Sequence, residues 1–277
     1  MADFYGSHFE YGGVSSRLYG LIIVNAETSR LTQLSGQKKG VTIFSKASNK
    51  LYLVDDDYAS SPLTFDIEVV ADSDRCLELT ERRQIEKWLF NKKSYRKLYM
   101  DIDDDEYGDT YEYIDGELKR IYLNCRLVNP EKIEGNGGIV GYKATLEADS
   151  NMFWQDPVET LFEVDNGSES ASTNITLSID TDLDEYIYPK VTIQMGEFGG
   201  DVIIANNNDN GARQTKFVGI GQSSTIVMNG ELNYVSGQYY EKFADRNFIR
   251  LLDGENTFTV IGNVKTIKFE YSARRYM

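Results

Sequence analysis

Apolar and polar residues alternate one by one along most of this chain, and that period of two narrows its fold more than any other feature. Leu63, Phe65, Ile67 and Val69 alternate with Thr64, Asp66 and Glu68, which puts the apolar set on one face of an extended strand and the polar set on the other. Leu98, Met100 and Ile102 repeat the pattern, as do Ile121, Leu123, Cys125 and Leu127, and again Tyr142, Ala144, Leu146 and Ala148. Strands half-buried in this way belong to antiparallel sheets with one face on a core and the other in water. One segment departs from the alternation. Ile85, Trp88 and Leu89 stand at i, i+3 and i+4, with Glu81, Arg82, Arg83, Glu86 and Lys87 on the solvated side, which is the spacing of an amphipathic helix. Thr80 is the expected N-cap, with Leu79 adding to the buried side from just before it. Trp88 is expected to anchor this single helix in the core, across a small sheet, rather than to stack on a ligand.

A seam follows the strand that ends near Ala148. Pro157, in Trp154-Gln155-Asp156-Pro157, lacks the N–H that a central strand must donate. Beyond it, Asp165-Asn166-Gly167, Gly199-Gly200, Asn210-Gly211, Asn229-Gly230 and Asp253-Gly254 are turn signals that allow positive φ. They separate short strands expected at 175–179, 191–195, 201–205, 216–220, 225–228 and 257–261, the spacing of a β-sandwich. The chain has 277 residues, and at roughly 150 residues per domain it divides into 1–152, a β domain carrying the helix, and 153–277, a β-sandwich. The fold class is mainly β with one α-helix.

Composition removes several functions. Lys and Arg number 29 against 44 Asp and Glu, a net charge of -15. A surface so acidic repels phosphate backbones, whose affinity for proteins comes from Lys and Arg displacing counterions, so neither a nucleic-acid reader nor a protein of acidic membranes is expected. The longest strongly apolar run, 18–24, is far short of the roughly 20 residues that cross a bilayer. The opening Met-Ala-Asp-Phe has no basic start followed by an apolar core, so no signal peptide is expected. Cys76 and Cys125 are the two cysteines, no disulfide framework and a usage that suits reducing cytosol. Cys125 falls on an apolar strand face and is expected to be a buried, inert thiol. One histidine, His8, leaves no Ser-His-Asp triad and no multi-histidine metal site.

The densest chemical signal is the acidic run 101–112. Asp101, Asp103, Asp105, Asp109 and Glu112 stand at positions one, three, five, nine and twelve of a calcium loop. Glu106 occupies the place of the turn glycine, Gly108 comes two residues late, and the flanks read as strands; an acidic hairpin tip is the expectation. With 44 acids, close carboxylate pairs are inevitable and do not single out a glycoside hydrolase. Gly219-Ile220-Gly221 and 196–200 lack phosphate-loop spacing and read as bulges or turns. Asp253-Gly254-Glu255-Asn256 reads as a turn with Asn or Gly in the left-handed position, and Asn174-Ile175-Thr176 is a glycosylation sequon by pattern only. Tyr234, Tyr239 and Tyr240, in a Gly/Asn/Ser context, offer amphipathic rings to a sugar or a protein, strand packing being the plainer reading. No catalytic, cofactor-binding or metal-ligating residue is assigned, and no enzyme is expected.

The order of these signals resembles the siphophage distal tail proteins (Dit). Phe9-Glu10-Tyr11-Gly12-Gly13, Ser15-Ser16 and Leu18-Tyr19-Gly20-Leu21-Ile22-Ile23 are similar to that family's opening strand pair. The strand 63–69, the helix with Ile85-x-x-Trp88-Leu89 and the strand 97–102 follow in its order. Leu146-Glu147-Ala148-Asp149-Ser150 with Trp154 and Pro157 stands where that family crosses between domains. Pro189-Lys190-Val191-Thr192-Ile193 looks like its P-x-I-x-I strand, and Phe248-Ile249-Arg250-Leu251-Leu252-Asp253-Gly254-Glu255-Asn256-Thr257 like its F-x-x-L-x-x-G-x-N-x hairpin. Tyr271 to Arg275 resembles its basic-aromatic end. The acidic insertion 101–115 and the weakly patterned stretch 31–58 depart from it.

That resemblance implies a structural role without catalysis. The N-terminal domain, a split-barrel-like sheet plus helix, forms a homo-hexameric ring, single or stacked, by a head-to-tail interface whose rotation closes. The C-terminal domain is a galectin-like sandwich projecting outward, and the last strand, within 264–277, returns to the N-terminal domain. The ring joins the major tail tube protein to a tail-associated hub or tail-spike protein, and carries receptor-binding or adhesin proteins. Its place is the tail tip of the virion, after assembly in the host cytoplasm. The acidic surplus fits a bore through which DNA slides without sticking, and equally fits plain solubility. The alternative is a carbohydrate-binding module or appendage for host cell-wall attachment.

Overall fold

Wherever the alternation is strict among the described residues, the chain is extended; Ile102 lies outside them. The computed structural model describes residues 8–24, 38–45, 50–58, 62–73, 75–91, 93–100, 111–114, 117–135, 137–182, 185–209 and 213–275, with backbone alone within 38–58 and 111–118. The chain separates into two units, Met1–Gln155 with Arg275–Met277, and Asp156–Arg274.

The first unit contains β1 (Phe9–Tyr11), β2 (Val14–Ser15), β3 (Leu21–Val24), β4 (Lys38–Ser45), β5 (Lys50–Tyr58), β6 (Thr64–Ala71), α1 (Leu79–Leu89), β7 (Arg96–Met100), β8 (Tyr111–Ile114), β9 (Glu117–Gly135), β10 (Gly138–Ala148) and β11 (Phe153–Gln155). Ten strands form one sheet in the order β2-β1-β7-β9-β10-β6-β3, with β8 and β11 also on β9 and β21 (Arg274–Arg275) on β11, while β4 and β5 form a separate hairpin. Register carries the alternation across the sheet. Tyr11 lies opposite Leu98 and Leu98 opposite Leu123, while Leu127, Leu146 and Phe65 make a second row. These residues face one core, the arrangement in which a one-residue slip would expose every apolar side chain.

The helix lies on that core through the three positions its spacing marked. Ile85 and Leu89 are fully buried, and Trp88 nearly so, each such side chain contributing roughly 1.5–3 kcal/mol by leaving water. Trp88 stacks on Phe9 with ring centroids at 5.6 Å and on Tyr19 at 5.2 Å, and its indole N–H donates to the Tyr11 carbonyl at 2.9 Å. The cap is two residues earlier than expected. Glu78, not Thr80, is the N-cap, and Leu79 is 58% exposed rather than buried. The reason is Glu81, which accepts from the Glu78 N–H at 3.3 Å while Arg75 donates to both of its oxygens at 2.8 and 2.9 Å. A carboxylate fixed in this way outcompetes a threonine hydroxyl as the organiser of the first turn.

The second unit contains β12 (Val158–Glu163), β13 (Ser172–Ile179), β14 (Lys190–Met195), β15 (Gly200–Asn206), β16 (Gln214–Ile220), β17 (Thr225–Asn229), β18 (Tyr234–Val235), β19 (Gly254–Ile261) and β20 (Val264–Tyr271). Two antiparallel sheets, β12-β20-β14-β17-β18 and β13-β19-β15-β16, bury a common core in which Phe258 of β19 meets Phe269 of β20 at 5.0 Å. All six strands read from the sequence are present, each longer by a residue or more. The sandwich also contains β12 and β20, beyond those six; Pro157 stands just before an edge strand, where its missing N–H costs nothing. The closing segment divides, with β20 in the sandwich and β21 (Arg274–Arg275) pairing with β11. The turn signals act in different ways. Asp165 and Gly254 take positive φ, whereas at Asn229-Gly230 it is Asn233 that does so. Gly230 is required for room, since a Cβ there would press on Tyr188 and Phe248. Asn210-Gly211 lies outside the described residues.

Candidate functional site

The residues singled out in the sequence mostly fasten strands. Cys125 is fully buried, and burial pushes its thiol up to about 12, so it holds its proton at neutral pH. His8 Nδ1 lies 2.9 Å from the Leu21 carbonyl and 3.4 Å from the Ser16 hydroxyl, tying β3 to the start of β1. Gly254 takes the left-handed position of its turn, and Asn256 is its clasp: the buried amide accepts from the Leu252 N–H and donates to the Leu252 carbonyl, both at 2.8 Å. Among the described residues no three His, Cys, Asp or Glu side chains gather where they could hold a metal ion. Residues 101–110 of the acidic run lie outside the described residues, and Tyr111 and Glu112 open β8.

Next to that turn is a charged clasp no motif announced. Arg250 donates from Nε and Nη2 to the two oxygens of Asp209 at 2.6 and 2.7 Å, with its guanidinium 3.7 Å from the centre of the Tyr186 ring. The side chains keep 17% and 2% of their surface accessible. The paired carboxylate holds Arg250 more firmly protonated than a free guanidinium, and Asn206 links the same corner to Asn256 at 2.8 Å. The three tyrosines have different surroundings. Tyr239 is hydrogen-bonded to Ser224 and Gln238, which lowers its phenol below the usual value, Tyr240 lies under Arg246 at 5.3 Å, and Tyr234 is exposed on β18.

The polar face of the ten-stranded sheet carries a set of paired charges, and the sheet has two edges. Alternate residues there pair across strands. Arg120 reaches Glu10 at 3.0 Å and lies 3.9 Å from the Tyr99 ring. Lys97 sits 3.8 Å over the Tyr122 ring, Arg126 meets Glu147 at 2.6 Å, and Lys143 meets Asp66 at 3.2 Å. Thr145 and then Lys143 hold the Asp66 carboxyl below its ordinary value. The result is a sheet face whose charges of both signs are matched locally. At its ends, β2 and β3 each have one described strand neighbour, leaving two different edges able to pair with further backbone.

The family described as phage tail protein N-terminal domain matches residues 4–150, and that described as phage tail C-terminal domain matches residues 157–271. The two matches meet at the seam around Pro157. No curated protein matches the chain. Among solved structures, the Dit (gp 19.1) protein of phage SPP1, described as a paradigm of the hub adsorption apparatus in phages infecting Gram-positive hosts, aligns with a TM-score of 0.61 at 12% identity, covering 97% of this chain and 99% of that one. A chain of the phage p2 baseplate in its activated conformation with Sr aligns with a TM-score of 0.51 at 12% identity, covering 97% and 98%.

Proposed function

The chain belongs to the phage tail protein family matched in both of its domains and has the fold of the distal tail protein Dit, and from that premise we propose that it is a non-enzymatic hub of the tail tip. Six copies form a ring that joins the tail tube to the tail-tip and host-adsorption proteins and lets DNA pass. The observation that carries this reading is the extent of the likeness, which runs through both units and takes in 97% of this chain and 99% of the other. Two physical features support it. The ten-stranded sheet ends in unlike edges, β2 and β3, as a head-to-tail interface requires. The net charge of -15 and a polar sheet face with its cations already paired would give phosphate little to bind. Division of labour follows the two domains read from the sequence, 1–152 for the ring and 153–277 for an outward galectin-like sandwich.

Light scattering behind a sizing column tests the ring. Six chains of 31.5 kDa give about 189 kDa, and twice that for stacked rings. A monomer at high concentration overturns the self-assembling ring and favours the carbohydrate-module alternative.

A further inference from the structure

One end of the sandwich is built around an aromatic ring left in water. The chain enters this unit at Asp156 and leaves at Arg274, and the strand registers place the connections β12–β13, β14–β15, β16–β17 and β19–β20 together at the opposite end. They are pinned to one another through the backbone. The Ser223 N–H donates to Gly196, the Gly196 N–H to Asn263 and the Asn166 N–H to Val264, at 2.8–2.9 Å. Buried Asn263 donates to the Asn166 carbonyl at 2.9 Å and accepts from the Phe198 N–H at 3.3 Å. Close approach fixes the β14–β15 connection as well: a Cβ on Gly196 would collide with the Asn263 amide, and one on Gly199 with the Ile220 carbonyl. From this tightened turn Phe198 projects with 62% of its surface exposed, where its apolar ring gains nothing unless something covers it.

Phe198 borders a groove of about 440 Å³ whose lining also includes Asp165, Gln194, Glu197, Ser223 and Lys265. We infer that this groove binds a saccharide, the ring of Phe198 stacking on the C–H face of one sugar unit while the surrounding carboxylates, amide and hydroxyl take its hydroxyl groups. The volume lies in the range of small-ligand sites, roughly 300–1,000 Å³. A protein partner would want a broad apolar centre, and Phe198 is the one exposed large apolar side chain in the lining among the described residues. A mixed set of hydrogen-bonding groups beside a single flat ring fits a ligand that is itself polar at its rim and apolar on its faces. The site stands whether or not the chain forms a ring.

The test is a microarray of bacterial wall and capsular polysaccharides probed with the full-length protein, followed by thermal shift and titration for each ligand retained. Phe198→Ala should melt with the wild type in buffer, because the ring is exposed, yet bind at least ten-fold more weakly and lose the ligand-induced shift. Glu197→Gln should also weaken binding, whereas Leu232→Ala, which removes an exposed apolar side chain at the other end of the sandwich, should change nothing. No retained glycan, or binding that Phe198→Ala leaves intact, overturns the inference. Loss of a tail-protein partner in Phe198→Ala without any glycan binding also overturns it, and assigns the ring to a protein interface. A mass of one chain in solution bears on the ring and leaves this result unaffected.

Discussion

Asp209 and Arg250 are 41 residues apart in the chain and share two hydrogen bonds in a corner where the carboxylate has almost no contact with water. Removing one partner leaves the other charge buried alone, which typically costs 3–5 kcal/mol. Arg250→Ala is therefore expected to lower the sandwich's stability by about 3 kcal/mol in denaturant titration, and Arg250→Lys to recover only part of it, since an ammonium cannot form the bidentate fork. A loss below about 1 kcal/mol would show that water reaches the corner. Cys125 supports a second expectation. With its thiol pushed up to about 12 by burial, the native protein at pH 8 should react with a thiol reagent at no more than one cysteine and show two after denaturation; two fast thiols in the native state would contradict the packing. Cys125 could be placed from its neighbours Leu123 and Leu127 because burial follows the period of two. The Arg250 pair could not, because the sequence holds no trace of which distant acid a given arginine will meet.

At the scale of elements, α1 depends on a cap whose charge can be titrated. Arg75 holds the Glu81 carboxyl below the ordinary value, so its contribution is present above the unfolded carboxylate pKa of about 4.3 and is lost as pH falls through the lower folded value. Glu81→Gln should thus cost about 1 kcal/mol at pH 7, a half-buried pair still in reach of water being worth little more. The gap between variant and wild type should close once the pH has fallen below that lowered folded value. A gap that persists at low pH would mean that Glu81 acts through shape rather than charge. The helix itself was legible in Ile85, Trp88 and Leu89, whose spacing no strand can satisfy. Its start was not, because Thr80 and Glu78 are both acceptable caps locally and the choice was made by Arg75. In the same way the turn glycines could be located, but Gly230 and Gly196 are there for what packs against them, a tertiary reason that leaves only a glycine in the text. Phe198 did leave a signal, a bulky ring inside Gly196-Glu197-Phe198-Gly199-Gly200, where nothing local could bury it.

At the scale of the molecule, each unit has its own core. Phe9, Trp88, Leu123 and Leu146 are buried in one and Val191, Phe217, Phe258 and Phe269 in the other. The two units divide after Gln155, within Trp154-Gln155-Asp156-Pro157, where a proline and a change in turn chemistry mark the end of one apolar face and the start of another. The division read from the sequence, 1–152 and 153–277, falls three residues earlier. The return of Arg275 to the first unit left no such mark, since a two-residue strand has no period to read. Two cores in one chain predict separable unfolding. A fragment of residues 156–274 should fold alone and melt cooperatively, because its nine strands satisfy their ladders within Asp156–Arg274 and its core residues are enclosed by their own sheets. Deleting residues 275–277 from the full chain removes the part of β21 that belongs to the first unit but keeps Arg274 and its bonds to Thr181 and Asp182, and should lower the melting of the first unit by a few degrees while leaving the sandwich's transition where it was. Calorimetry of the full chain, the fragment and the deletion distinguishes the cases. A fragment without a cooperative transition, or a deletion that shifts both units together, would mean that the sandwich draws its stability from the first unit, and the two halves of the chain would then have to be treated as one folding unit.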